Sequence, residues 1–303
     1  MKLEPNARVL VVMNPRARRN GPALLSGLRD ASPAGWSWDI VETRADQFSQ
    51  GELESHARTA NIVVAIGGDG TVTDTLTAMG NVEVPLAVLP GGSTNVIAQE
   101  LRLPMSPNDV AAMLQTGFEI RVIDAATCNG RFFLHMAGAG FDSRIFDQAS
   151  EALKQKVGWF AYLPSAASSL RLPPSRFTIT TDTSTYDMTS PMVLVANGAG
   201  IIRPSLKVFP GISSSDGMLD LIAVTAVQPQ AIASVIARFV TRTMDKSPHI
   251  LHERVKSVRI EADPHMPVQV DGDVVGMTPV EIAILPGRGR IAIPPRHASV
   301  MGV

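Results

Sequence analysis

Over its first third the chain sets short apolar runs, RVLVVMN, WSWDIVET, NIVVAIG and PLAVLPGG, between polar or helically spaced stretches such as TVTDTLTAMG. That alternation predicts stacked βα units around a mainly parallel sheet, an α/β domain over residues 1–125. After Asp124 the texture changes. RFFLHMAGAG, RFTITTDTSTYDM, PMVLVANGAG, MLDLIAVTAV, SVRIEAD, VQVDGD and VEIAILPG follow one another with few helices between. They predict a mainly antiparallel β-sandwich over residues 126–290. Two helices are expected inside it, one over residues 150–170 and one after Pro229, where Ile232, Val235, Ile236, Phe239 and Val240 recur on one face. The tail 291–303 is expected to pack back on the first domain.

Composition narrows the function classes. A chain of 303 residues with 45% hydrophobic content can bury a core in each domain. Its net charge of −1 lacks the basic excess of non-specific nucleic-acid binders, so nucleic acid is not an expected partner. The single cysteine, Cys128, fits a reducing compartment, and a cytoplasmic location is expected. The opening MKLEPNARVLVVMNP is too short in its apolar part for a signal peptide and reads as a first strand. The longest apolar stretch, LIAVTAVQPQAIASVIARFV, is cut at Gln228-Pro229-Gln230, short of the roughly 18 residues of a spanning helix. Any membrane contact is therefore expected to be peripheral.

Four glycine-centred stretches carry the candidate chemistry: Gly67-Gly68-Asp69-Gly70-Thr71, Pro90-Gly91-Gly92-Ser93-Thr94-Asn95, Gly138-Ala139-Gly140-Phe141-Asp142 and Asp271-Gly272-Asp273. The first two each follow a predicted strand. Bare turns at neighbouring strand ends of one sheet can enclose a polyphosphate, because backbone N–H groups approach it closely. No Walker A loop, G-x-G-x-x-G fingerprint or G-x-S-x-G elbow occurs. His249 and His252 are three apart, but HILHE is not the H-E-x-x-H of a zinc site and offers no third ligand. Phosphoryl transfer needs a polyphosphate cradle, a divalent ion and a carboxylate for the attacking hydroxyl. Asp69 fits magnesium held through water, or the acceptor hydroxyl, and it equally fits an Asx turn or a helix cap. Asp273 is the other candidate, in a DGD that also reads as a hairpin turn.

With these motifs in place, the sequence resembles the soluble lipid kinases with a diacylglycerol kinase catalytic domain, the superfamily that includes sphingosine and ceramide kinases. VVMNPRAR resembles the family's N-P opening, GGDGT its nucleotide loop, PGGSTN its P-x-G-[ST]-x-N loop and GAGFD its G-x-G-x-D segment. SSSDGMLDL resembles the D-G-x-L-D stretch, and VQVDGD with TPVEIAILPG the D-G-E region. GGDGT alone is shared with NAD kinases and resembles the phosphofructokinase loop. The resemblance covers nearly the whole chain and implies a two-domain fold that uses ATP and Mg²⁺ in the cleft between domains.

Carried onto matching positions, it implies that Asn14, Pro15, Thr43, Gly67, Gly68, Asp69, Gly70, Thr71, Thr73 and Ser93 line the nucleotide site, with Asn95 and Asp124 as further cleft residues. Asp69 is implied for the metal and the reacting phosphate. Asp273 stands where the family has its catalytic glutamate, one methylene shorter. Asp216 and the Met218 carbonyl are implied for a structural cation site, where Ser213 is a weaker ligand than the acid often found. Val96 replaces an aspartate common in diacylglycerol kinases, and AGIIRPS replaces a glycine-rich tract.

A lipid kinase works at a bilayer surface, and residues 150–171, with Lys154 and Lys156 beside Trp159, Phe160 and Tyr162, suit an interfacial helix or a lid. The expected activity is ATP-dependent phosphorylation of a lipid hydroxyl, diacylglycerol or a related glycerolipid ahead of a sphingoid base, on a transiently membrane-associated protein. An NAD kinase-like enzyme and a catalytically silent nucleotide- or lipid-binding regulator are the alternatives. The oligomeric state is not set by the sequence.

Overall fold

The computed structural model describes residues 1–43, 50–140, 174–198, 209, 211–241 and 243–295. The chain divides into two compact units, one formed by Met1–Ile123 with Gly287–Val303 and the other by Asp124–Pro286. The predicted helix over 150–170, Asp142, the AGIIRPS stretch after Ala199 and the end of the tail lie outside the described residues.

The first unit is an α/β fold on a parallel sheet. Strands β1 (Arg8–Met13), β2 (Ser37–Glu42), β3 (Ile62–Gly67) and β4 (Leu86–Pro90) run in the order β2-β1-β3-β4. All residues of β3 and β4 are buried, as central parallel strands with both faces covered require. β2 lies at the edge and is half exposed. Helices α1 (Gly21–Asp30), α2 (Gln50–Ala57), α3 (Asp69–Ala78), α4 (Val96–Glu100) and α5 (Pro107–Thr116) fill the connections. α5 begins where Ser106 accepts the Asp109 N–H at 3.2 Å and Pro107 takes the first turn, two strong start signals. Leu24, Leu25 and Leu28 of α1 and Val110 and Leu114 of α5 bury one apolar face against Val9, Val11, Val64 and Leu89.

The second unit pairs two antiparallel sheets. One holds β13 (Ser257–Asp263), β8 (Ser175–Thr181), β9 (Thr185–Ser190) and the first part of β16 (Val280–Ile293), with β5 (Glu119–Cys128) and β6 (Arg131–Phe133) beside them. The other runs β12-β11-β10-β7-β14-β15, from β12 (Ile250–Val255) through β11 (Leu219–Val224), β10 (Val193–Ala196), β7 (Met136–Ala139) and β14 (Pro267–Val270) to β15 (Asp273–Met277). Phe133, Phe177, Ile179, Val195, Leu221, Val268 and Val270 meet in one core. On the far face of the second sheet, Leu194, Ile222 and Val224 pack with Val235 of α6 (Pro229–Thr241), the helix that the spacing after Pro229 predicts. The tail's Ile291 pairs with Leu86 of β4 inside the first unit.

One element departs from the sequence pattern. RFFLHMAGAG is not one strand: it breaks between β6 and β7, where the Leu134, His135 and Met136 N–H groups all turn to the Asp271 carboxylate. Ile250–Glu253 of HILHE belong to β12, where His252 sits opposite Ile222.

Cys128 is buried in the sandwich core, and desolvation pushes its thiol up to about 11 against a weaker opposing pull from Arg131. An acid whose folded pKa is raised favours folding below its unfolded value near 9, and that contribution is lost as pH climbs from there toward 11. A thiol-specific chromogenic reagent at pH 8 should therefore leave the native protein unlabelled and titrate one thiol after denaturation. Denaturation midpoints should fall between pH 9 and 11 in the native sequence more than in Cys128→Ala.

Candidate functional site

In the first unit the loops after β1, β3 and β4 all emerge at the carboxyl edge of the parallel sheet, where such sheets bind ligands. The β3 and β4 loops lie backbone to backbone. The Gly91 N–H donates to the Gly67 carbonyl at 2.7 Å, and a Cβ on Gly92 would stand 2.6 Å from the Gly68 Cα. A Cβ on Gly91 would stand 3.3 Å from the Gly67 Cα. Glycine is required here by approach, not by backbone angle. Gly70 has open space beside it.

Asp69 fastens this pair of loops. Its carboxylate accepts from the Val96 N–H at 2.9 Å, the Ile97 N–H at 3.0 Å and the Thr94 hydroxyl at 3.3 Å. It thereby caps α4 from a different segment, supplying the oxygen that the Asn95 side chain does not. Asn95 closes its own loop, accepting from the Gly92 N–H and donating to the Gly92 carbonyl, both at 2.9 Å. Its φ of 49° is a left-handed angle that asparagine tolerates. By contrast, no side chain caps the start of α3 at Gly68.

The remaining first-unit candidates gather on the same edge. The Asn14 N–H donates to the Ile66 carbonyl at 2.9 Å, and its side-chain oxygen accepts from the Arg16 N–H at 2.9 Å, which folds Pro15 into a tight turn. The Thr43 N–H donates to the Met13 carbonyl at 2.8 Å. Ser93 is exposed at the loop tip, Thr71 packs under Gly67, and the buried Thr73 hydroxyl has no hydrogen-bond partner among the described residues. Arg19, not singled out by motif, ties the loops together by donating to the Pro90 and Met105 carbonyls at 3.2 and 2.9 Å.

The second unit has its own polar assembly. Asp271 and Gly272 form the β14 to β15 turn with φ of 47° and 99°. The Asp271 carboxylate takes three N–H groups from residues 134–136 at 2.9 to 3.0 Å, and its own N–H donates to the Met136 carbonyl. Asp273 follows, exposed, with its carboxylate 2.7 Å from the Arg131 guanidinium. The buried Asp124 accepts the Gly217 N–H at 2.7 Å, and its carbonyl accepts from the Asn197 amide at 3.0 Å. Arg131 and Asn197 escape motif reasoning, as does the backbone role of Asp271 within its DGD motif, because that work is visible only once distant segments are neighbours. The one sequence signal was an aspartate set before glycine in a turn.

Domain-level matches follow the same division. Residues 8–128 match the diacylglycerol kinase catalytic domain, and residues 135–293 match the YegS C-terminal NAD kinase beta sandwich-like domain. The chain belongs to the diacylglycerol kinase and YegS-like lipid kinase family. Over 299 residues it is 24% identical to the diacylglycerol kinase of Bacillus subtilis, covering 96% of this chain and 98% of that one. An uncharacterized Synechocystis protein is 29% identical over 254 residues, 80% of this chain but 56% of that protein, so this chain spans little more than half its length. A crystal structure of a diacylglycerol kinase from Bacillus anthracis superimposes with a TM-score of 0.68 at 22% identity, covering 96% and 97% of the two chains. Another structure from that organism reaches 0.74 at 24% identity over 96% of each. Both carry the same fold.

For a lipid kinase the family implies ATP as donor, and the side-chain-free loops with the uncapped start of α3 suit its phosphates. The cation positions fit less well. Asp216 is held by Arg254 at 2.6 Å and by the Met218 N–H at 3.1 Å, and Asp69 is turned to α4. Among the described residues no group of three or more His, Cys, Asp or Glu is placed to hold a metal. Nor is any described helix long and apolar enough to cross a membrane.

Gly92→Ala should cost about 1–3 kcal/mol through the forced separation of the two loops. Asp69→Ala should cost about 1–2 kcal/mol through loss of the α4 cap. Urea denaturation checks both, and Asp69→Asn should recover part of the second loss.

Proposed function

We propose that the protein transfers the γ-phosphate of ATP to the hydroxyl of a membrane lipid, diacylglycerol or a closely related glycerolipid. The observation that carries this reading is the backbone contact of the β3 and β4 loops beside the uncapped start of α3: bare N–H groups and a helix dipole in a family whose members phosphorylate lipids. ATP supplies the phosphoryl group, with Mg²⁺ as the counter-ion of its triphosphate. Gly68 and Gly70 let the main chain approach the phosphates, while Asp69 keeps α4 and the β4 loop in register with α3. Asn14, Pro15, Thr43, Thr71, Thr73, Ser93 and Asn95 shape the rest of the nucleotide site.

On the acceptor side Asp273 takes the hydroxyl proton as the lipid oxygen attacks. Its reach is one methylene less than a glutamate's, and its carboxylate pairs with the Arg131 guanidinium just beyond the Asp271 turn. Asp124 and Asn197 stiffen the adjoining loop. The reaction suits a protein that meets membranes from the cytoplasm and leaves again.

Labelled phosphate from ATP, offered with diacylglycerol, sphingosine and other lipids in mixed micelles and with NAD in detergent-free buffer, tests the reading. Transfer to the glycerolipid is expected, falling about 10²-fold or more in Asp273→Asn. Transfer to NAD alone would replace the reading. ATP binding with no turnover, unrecovered by Asp273→Glu, would make the protein a silent regulator.

A further inference from the structure

Strands that end a sheet expose unpaired N–H and C=O groups, and proteins guard them with charge. Here β2 carries Asp39 and Glu42, β9 carries Asp187, and β12 carries Glu253 and Arg254. β15 is different. Its one charge, Asp273, is its first residue and is neutralised by Arg131, and from Val274 through Pro279 there is no ionisable side chain.

Val275 of this strand packs against the sandwich core, whereas its other two apolar side chains, Val274 and Met277, fall on the opposite side. Val268 and Val270 face the sandwich core, so their alternates Pro267 and Gln269 lie on the other side of the sheet, where Gln269 is buried and only the edge is open. Register pairs Gln269 with Val274 and Pro267 with Met277, and a bulge between Val268 and Gln269 lets residues three apart in β15 share that outward face. Val274 is 54% exposed and Met277 53%. Pro267 beside them is exposed too.

We propose that this outward face of β15, Val274 and Met277 with Pro267, is laid on the surface of a lipid bilayer during turnover. The inference deepens the function proposed above: the acceptor resides in the bilayer, and the strand that begins with the acceptor-side carboxylate is the one stripped of charge. A second copy adding a strand here is disfavoured, because the bulge, Gly276 at a φ of 149° and a length of five residues leave little regular edge to pair. Two exposed side chains of this size give weak, reversible attachment, as a kinase that must release its product needs.

Met277→Cys can be labelled with an environment-sensitive nitrobenzoxadiazole probe, because the native thiol of Cys128 is buried. Thr185→Cys on β9 serves as the control. With vesicles of phosphatidylcholine and phosphatidylglycerol, the probe at 277 should brighten and shift to the blue while the probe at 185 does not. Val274→Ser/Met277→Ser should bind those vesicles about tenfold more weakly, yet phosphorylate a short-chain diacylglycerol dissolved as monomers at the native rate. An unmoved probe at 277, or a double variant that binds vesicles like the native chain, overturns the inference. So does a concentration-dependent dimer that the double variant abolishes, which would make the face a contact between copies. Absence of phosphate transfer to any lipid overturns the proposed reaction, whereas the vesicle measurements decide the bilayer contact on their own.

Discussion

The carboxylate of Asp69 is the hinge pin of the first unit. It begins one helix, α3, and caps another, α4, so the two glycine loops that follow β3 and β4 cannot move independently. Their closeness leaves no room for side chains at Gly91 and Gly92. The N–H groups of those two glycines go to the Gly67 carbonyl and the Asn95 side-chain oxygen, while the donors without a side-chain cap lie at the start of α3. Geometry and chemistry thus share one cause. Mutual packing demands bare backbone, and bare backbone suits phosphate.

The same device recurs in the second unit. Asp271 gathers three consecutive N–H groups and Asp124 takes that of Gly217, so each acid spends its oxygens on a bend in the chain. Charge-assisted bonds of this kind are about twice as strong as neutral ones. They replace the regular ladder where it breaks, between β6 and β7 and before β11. Asp273 stands apart from them. It is exposed and meets a side chain, the Arg131 guanidinium, rather than a backbone bend.

Much of this was legible in the residues. Fully apolar runs marked β3 and β4, and the spacing after Pro229 marked α6, because burial on both faces or on one stripe writes itself into local periodicity. The glycine loops could be read as neighbours because successive parallel strands end at one edge. Long-range partnerships left no such trace. That Asp69 caps a helix 27 residues on and that Asp271 breaks RFFLHMAGAG into two strands both depend on which segments become adjacent. Local pattern carries the elements, while contacts between distant segments decide where they stop.

The first unit's sheet is finished by residues from the far end of the chain: Ile291 of β16 pairs with Leu86, and Gly287 onward belongs to that unit. The second unit, by contrast, is one continuous stretch. During synthesis the nascent polypeptide can complete the later-made half while the earlier-made half still waits for its closing strand. A polypeptide ended at Pro286 therefore holds every residue of the second unit while the first still lacks its closing strand.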